Sequence, residues 1–156
     1  PATTPATAAP DPAASAQAST VSSLLNSGSG SADALNGAVN DVSNCGNIAG
    51  DISEIQSVEN QRQDEYAQAQ TTPMNDLPNG AEVKSDLIQA LHYSLVADQD
   101  YLNYANQMET SSCQSGSQAA AQAADGQAVT YKNDFLSLWN PIASEYGLPQ
   151  LTVSSI

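Results

Sequence analysis

The chain has 156 residues, a length that suffices for one domain with a hydrophobic core. Three basic residues stand against seventeen acidic ones, and the net charge is −14. This charge argues against nucleic acid as a partner and disfavours an anionic membrane surface, because both need a cationic face on the protein. The apolar runs are too short to cross a bilayer, so no transmembrane segment is predicted in this chain.

The N-terminal end predicts a linker followed by a short helix. Residues 1–10, PATTPATAAP, lack the apolar side chains that a core requires and are typical of a flexible linker. Asp11 followed by Pro12 is a helix-start signal, and the glycines between residues 28 and 30 predict the end of this first helix.

A second and much longer helix is predicted from about Ser31 to Gln70. Apolar side chains recur every three or four residues from Leu35 to Ile55. Gly46 and Gly50 interrupt this pattern at about 1 kcal/mol each and predict a kink or a close helix approach.

Two further helices follow. A turn rich in proline and asparagine, residues 72–79, ends in Asn79, which with Glu82 matches a capping box and predicts a helix from about residue 80 to residue 110. After a second turn at residues 111–117, an alanine-rich helix should run to Asn140-Pro141, which predicts a break. Residues 151–156 are expected to form a tail that is either docked as an extended segment or frayed.

This order of elements predicts an all-α fold. Three long helices and a shorter N-terminal one, joined by short turns, favour an up-down antiparallel helical bundle formed by residues 11–150 as a single domain.

Cys45 and Cys113 are the two cysteines, and a hairpin between the second and third helices brings them to the same end. If the chain reverses near residue 76, Cys113 lies opposite position 39, an offset of ~9 Å that the turn after the third helix can close. We therefore predict a disulfide that stabilises by ~4 kcal/mol on the chain-entropy model. The alternative is a pair of free thiols in a cytosolic protein.

Charged residues on the apolar stripes are the candidate site. Asp98 interrupts the stripe of the third helix, and Arg62 lies on the continuation of the second. Lys132, in the fourth helix, falls within roughly one turn of Asp98 when the two helices are laid side by side. These residues predict either a buried polar pair that fixes helix register or a carboxylate-lined ligand pocket.

No catalytic, metal or cofactor motif is present in the sequence. The single histidine, His92, has no nucleophile on its own helix face, and Ser94 is two residues away. The clusters Asp98 with Asp100 and Asp64 with Glu65 lack the spacing of a calcium loop and are interpreted as solvated faces. The expectation is a protein without catalytic residues, metal or cofactor.

Aromatic residues are concentrated in the second half of the chain. Tyr93, Tyr101 and Tyr104 flank the stripe of the third helix. If exposed, they would form a stacking surface for a sugar or a partner protein, whereas core packing is the structural alternative.

The segments ALHYSLVADQDYLNYA (90–105) and TYKNDFLSLWNPIASEYGLP (130–149) resemble a helical domain of exported or membrane-anchored actinobacterial proteins of unassigned activity. The resemblance covers about residues 35–150 and rests on Asp98, Tyr101, Cys113, Lys132, Phe135, Trp139, Asn140, Pro141 and Gly147. It implies a secreted helical domain and no particular activity.

The functional expectation is a secreted, non-catalytic binding or protein-interaction module, with residues 1–10 suited to hold it away from a membrane or cell wall. The expected partner is an unidentified protein or cell-surface component. The alternative is a small-ligand or metal-binding bundle with a polar pocket near Asp98 and Lys132. Any leader or anchor is expected to precede Pro1. Ligand identity and oligomeric state stay open.

Overall fold

A computed structural model describes residues 11–156, so the predicted linker 1–10 lies outside the described residues. The described part contains five α-helices, a 3₁₀ turn and no strand, which confirms the all-α class. The helices are α1 (Pro12–Ser27), α2 (Ser31–Ser43), α3 (Ile48–Thr71), α4 (Gly80–Thr110) and α5 (Ala119–Glu145), and the 3₁₀ turn is Val153–Ser155.

The start of α1 follows the sequence signal. Asp11 caps it, because its Oδ1 accepts a hydrogen bond from the main-chain N–H of Ala13 at 2.9 Å, and Pro12 is the first helical residue. The inner face of the helix is buried and carries Val21, Leu24 and Leu25.

The predicted single helix from residue 31 to residue 70 is wrong, because the chain breaks into α2 and α3 at residues 44–47. Cys45 adopts a left-handed conformation with φ of 60°, which a continuous helix does not allow. Asn47 then begins α3 by accepting a hydrogen bond from the N–H of Gly50 on its side-chain oxygen. The kink predicted from Gly46 and Gly50 is therefore a complete break between two helices, which we call the α2–α3 corner.

The start of α4 was predicted correctly, but for a different reason. Asn79 makes no side-chain cap and lies in the left-handed region with φ of 52°. Gly80 is the residue that the turn requires, since a Cβ there would lie 1.7 Å from the main-chain oxygen of Met74. The close approach of these two main-chain segments sets where α4 begins.

The predicted break at Asn140-Pro141 is also wrong, because α5 continues through Pro141 to Glu145. Trp139, Ile142 and Ala143 on either side of the proline are buried, and this packing offsets the hydrogen bond that the proline removes. The helix ends before Gly147, which has a φ of 67°.

The core has two apolar parts. One joins α1, α3, α4 and α5 and includes Val21, Leu87, Leu91, Phe135, Trp139 and Ile156. The other joins α2, α3 and α4 and includes Leu35, Val42, Ile55, Val58, Tyr104 and Met108. The two parts occupy different stretches of α3 and α4, and a polar layer lies between these stretches.

Candidate functional site

Three helices contribute buried charged residues to this polar layer. Arg62 from α3, Asp98 from α4 and Lys132 from α5 are 3 %, 1 % and 9 % exposed. Along α3, Arg62 lies between Val58 of one apolar part and Ala69 of the other. Helical periodicity puts Arg62 and Asp98 on apolar stripes, so their burial agrees with the sequence pattern.

Arg62 is the centre of this cluster. Its Nε donates to Oδ2 of Asp98 at 3.4 Å, and its Nη1 donates to Oε2 of Glu65 at 3.3 Å. Glu65 is buried, which corrects its interpretation as part of a solvated face. A signal for it was present, because Glu65 follows Arg62 by three residues and therefore shares its side of the helix.

Lys132 does not pair with Asp98, which corrects the direct contact expected between them. Its Nζ donates to the main-chain oxygen of Ile156 at 2.5 Å. The Asp98 carboxylate is held instead by Arg62, whose planar guanidinium reaches two carboxylates at once.

Burial shifts the ionisation of these groups. It raises the pKa of Asp98 to about 6, although the neighbouring Arg62 opposes the shift. It also raises the pKa of Glu65, again against Arg62. Burial, helped by the positive charge of Arg62, lowers the pKa of Lys132 to about 8. The layer is thus a set of charges held in a weakly solvated environment.

A cavity of about 520 Å³ opens onto this layer. Its walls carry the side chains of Arg62, Ser94, Asp98, Asp125 and Lys132. Leu35 and Asn36 of α2 form another side, and residues 152–154 of the C-terminal tail complete it. The hydroxyl oxygen of Ser94 is buried and has no hydrogen-bond partner within residues 11–156. The cavity therefore presents donors and acceptors to whatever enters it, and the unsatisfied Ser94 hydroxyl is buried in its wall.

The C-terminal tail is the part of the site that sequence reasoning missed. Asn140 holds it with two hydrogen bonds, from its Nδ2 to the oxygen of Leu151 at 3.0 Å and from the N–H of Leu151 to its Oδ1 at 2.9 Å. Ile156 is buried in the core. The available signal is the polar Asn140 beside Pro141, although the same pair of residues also predicts a helix break.

The three candidate tyrosines have different surroundings. Tyr104 is 5 % exposed and its hydroxyl is 3.0 Å from Oγ of Ser43, so it belongs to the core and not to a binding surface. Tyr101 is half-buried and donates to Oδ2 of Asp125 at 2.7 Å. Burial and this carboxylate raise the pKa of Tyr101. The hydrogen bond orients Asp125, which lines the cavity.

Tyr93 belongs to a row of rings across three helices. Its ring stacks on Tyr131 of α5 with centroids 5.6 Å apart, and it contacts His92 at 5.2 Å. His92 in turn lies 5.8 Å from Tyr66 of α3. His92 is exposed and does not line the cavity.

The predicted disulfide is present. Cys45 and Cys113 are bonded with their Cα atoms 5.8 Å apart, so the α2–α3 corner is joined to the turn after α4. Both cysteines have left-handed conformations, with φ of 60° and 65°. The bond closes a loop over a sequence separation of 68 residues.

Comparison with protein-family models, curated proteins and solved structures finds no match to this chain. Among residues 11–156, no helix combines the length and apolar character that crossing a membrane requires. The same residues contain no group of three or more His, Cys, Asp and Glu side chains arranged to hold a metal ion.

Proposed function

We propose that the protein is a non-catalytic binding module whose binding site is the cavity between α2, α3, α4, α5 and the C-terminal tail. The observation that carries this proposal is a cavity of about 520 Å³ lined by three buried charged side chains, Arg62, Asp98 and Lys132. This volume is within the range of small-molecule sites in proteins, about 300–1,000 Å³.

The lining favours a small polar ligand that offers both donors and acceptors. Asp98 and Asp125 present carboxylates, and Lys132 presents an ammonium group. Ser94 adds a hydroxyl that lacks a partner within the described chain. Because a buried polar atom without a partner costs about 1–3 kcal/mol, a ligand that bonds to Ser94 gains affinity. An amino acid, a hydroxy acid or a polyol meets these requirements.

A thermal-shift screen with amino acids, hydroxy acids, polyols and polyamines tests the proposal. A ligand at a hundred times its dissociation constant should stabilise by about 2.7 kcal/mol, which corresponds to roughly 5–10 °C in Tm. Val129 is 44 % exposed and lines the cavity, so Val129→Trp should block its mouth without disturbing the core.

Thr130→Trp is the matched control, because Thr130 is exposed on the same helix and does not line the cavity. The proposal requires that Val129→Trp abolish the shift and that Thr130→Trp retain it. If no compound class binds, or if both variants respond alike, the cavity is not the binding site.

A protein-interaction surface is the second candidate, and the row of Tyr66, His92, Tyr93 and Tyr131 favours it. Aromatic side chains are enriched in the cores of protein interfaces. If a partner protein binds this row, His92→Ser and Tyr93→Ser should lower its affinity. Val129→Trp should leave that affinity unchanged. The opposite pattern would assign that partner to the cavity.

The arrangement of α3, α4 and α5 proposed here is up-down and antiparallel. Contacts along the two segments lie at increasing distance from the turn that joins α3 to α4. Lys84 bonds Thr72 next to the turn, Arg62 bonds Asp98 farther away, and Cys45 is joined to Cys113 beyond the far ends of both helices. Tyr93–Tyr131 and Tyr101–Asp125 give the same order between α4 and α5. A crystal structure would test this topology.

The proposed location is extracytoplasmic, and the disulfide supports it because such bonds persist in oxidising compartments. Intact mass after alkylation of the protein taken from its natural source, with and without reductant, is the test. Two alkylated thiols without reductant would contradict this location.

A further inference from the structure

The C-terminal tail, residues 151–156, is held at its two ends. At one end, the side chain of Asn140 bonds both the N–H and the main-chain oxygen of Leu151, at 2.9 and 3.0 Å. At the other end, Nζ of Lys132 donates to the main-chain oxygen of Ile156, and the Ile156 side chain is buried in the core. Ile156 is the one fully buried residue of the tail. The tail is therefore fixed at two points and not along its whole length.

Between these ends, residues 152–155 make hydrogen bonds only to one another within the described chain. The hydroxyl oxygen of Thr152 lies 3.0 Å from those of Ser154 and Ser155, and the N–H of Ser155 donates to the main-chain oxygen of Thr152 at 2.9 Å. Thr152 and Ser154 are exposed, and Val153 is half-buried. A segment without hydrogen bonds to the helices is among the parts of a protein that open locally at low cost.

This middle part of the tail forms one wall of the cavity. Residues 152–154 line it together with side chains of α2, α3, α4 and α5. The four helices are held by the two apolar parts of the core, so moving one of them would break much more packing than moving the tail. Ser94 and Asp98 in the cavity wall are only 4 % and 1 % exposed, although they border a space of about 520 Å³. Contact with them from solution therefore requires a wall to move.

We propose that the tail is a strap that closes the cavity, and that release of Leu151 from Asn140 opens the cavity to a ligand. The inference rests on the cavity being the binding site, as proposed above, because the strap then controls entry to it. Asn140 does not line the cavity and is a positioning residue that acts through the tail.

Lys132 connects the strap with the ligand site, because it lines the cavity and also bonds Ile156. An ammonium group has three donors, and two of those on Lys132 have no acceptor in the described chain. The same side chain can therefore hold the closed strap and an acceptor group of a bound ligand.

Alkylation of a cysteine placed in the cavity wall tests the strap in the full chain. Ser94→Cys introduces the one free thiol, since the two native cysteines are bonded to each other, and its rate of reaction with N-ethylmaleimide at pH 7 measures how often the wall is accessible. Asn140→Ala in this background should raise the rate at least tenfold, because opening no longer breaks two hydrogen bonds. Asn133→Ala is the matched control and should leave the rate unchanged, because Asn133 is exposed on the same helix and donates only within that helix.

Equal rates with and without Asn140→Ala would overturn the proposal, since the cavity would then open elsewhere, and so would an equal rise in Asn133→Ala. If a variant does not fold, hydrogen exchange in the unmodified protein decides the matter. The N–H of Leu151 should exchange at least tenfold faster than the amides around Phe135, and exchange at the same rate would show that the tail opens only when the whole protein unfolds. All of these measurements are made without a ligand. Failure of the strap is therefore distinct from failure of the binding function, which the thermal-shift screen tests.

Discussion

The central cluster and the α2–α3 corner both bury carboxylates, but they neutralise them differently. In the centre, Arg62 lies between Asp98 and Glu65 and bonds both. At the corner, burial together with the charge of Asp41 raises the pKa of Asp51, and neither carboxylate forms a salt bridge within the described residues. The difference teaches that in a chain with seventeen acidic and three basic residues, the positions of the few cations decide which carboxylates are satisfied internally.

The two regions should respond in opposite ways to their surroundings. The centre carries its own counter-charge, so its stability depends on Arg62 and on pH. The corner has no basic partner among the described residues, so its stability depends more on the disulfide that closes it. Each substitution below alters one region and leaves the other intact.

Arg62→Met is expected to have the largest effect. It leaves Asp98 and Glu65 buried without their shared cation, and breaking a buried ion pair costs about 3–5 kcal/mol. Urea unfolding measures this loss. Lys84→Met is the control, because Lys84 is partly exposed and donates only to the main-chain oxygen of Thr72. Equal losses in both variants would show that the central ion pairs contribute nothing specific.

Removal of the disulfide is expected to cost somewhat less. Cys45→Ser combined with Cys113→Ser opens a loop closed across 68 residues of sequence, for which a loss of about 2–4 kcal/mol is typical. Urea unfolding gives the total cost. Hydrogen exchange shows which part of the protein loses stability. Amides near the corner should lose protection before those around Phe135 and Trp139. Uniform loss across both regions would mean that the corner is not an independent unit.

The sequence allowed the helical class, the position of α4 and the disulfide to be predicted, because each rests on local signals or on simple helix geometry. It also placed Arg62 and Asp98 on apolar stripes, and the alignment of two helices brought Lys132 near Asp98; all three are buried. Their pairing was not predictable at that level. A helical repeat fixes which face a residue occupies, but not which carboxylate a long arginine side chain reaches.

The α2–α3 corner and the contribution of the tail to the cavity could not be predicted from the sequence. In both places, contacts made in the folded chain override what the local sequence signals indicate. The apolar repeat continues across residues 44–47, whereas the left-handed conformation of Cys45 and the position of the Asp41 carboxylate against Gly46 show that the helix stops there. Similarly, Pro141 signals a break that the hydrogen bonds of Asn140 to Leu151 and the burial of Ile142 override.

The ionisation of Asp98 should make the stability of the central cluster depend on pH. Because its pKa is raised to about 6 from 3.8, the folded state binds more protons than the unfolded chain between these values. Stability should therefore fall as pH rises from about 4 to about 6, by on the order of 2 kcal/mol from this group. Asp98→Asn should remove that contribution. Urea unfolding at several pH values measures the slope.

The control for this pH effect must separate one buried group from general charge repulsion. Asp64→Asn removes the same charge from an exposed position on α3. It should keep the slope of the unmodified protein. If Asp64→Asn flattens the curve as much as Asp98→Asn does, the pH dependence comes from the overall negative charge.

A pair of glycine substitutions gives the smallest expected effect and isolates the corner. Gly46→Ala places a Cβ where the Asp41 carboxylate lies, so the carboxylate must move and release the N–H of Asn47. The loss of that hydrogen bond should cost about 1 kcal/mol. Gly37→Ala, in the interior of α2 with no atom within 4 Å of the new Cβ, should stabilise by about 0.5–1 kcal/mol through helix propensity. Opposite signs in thermal unfolding would show that Asp41 is held by the corner, because backbone propensity alone would move both variants in the same direction.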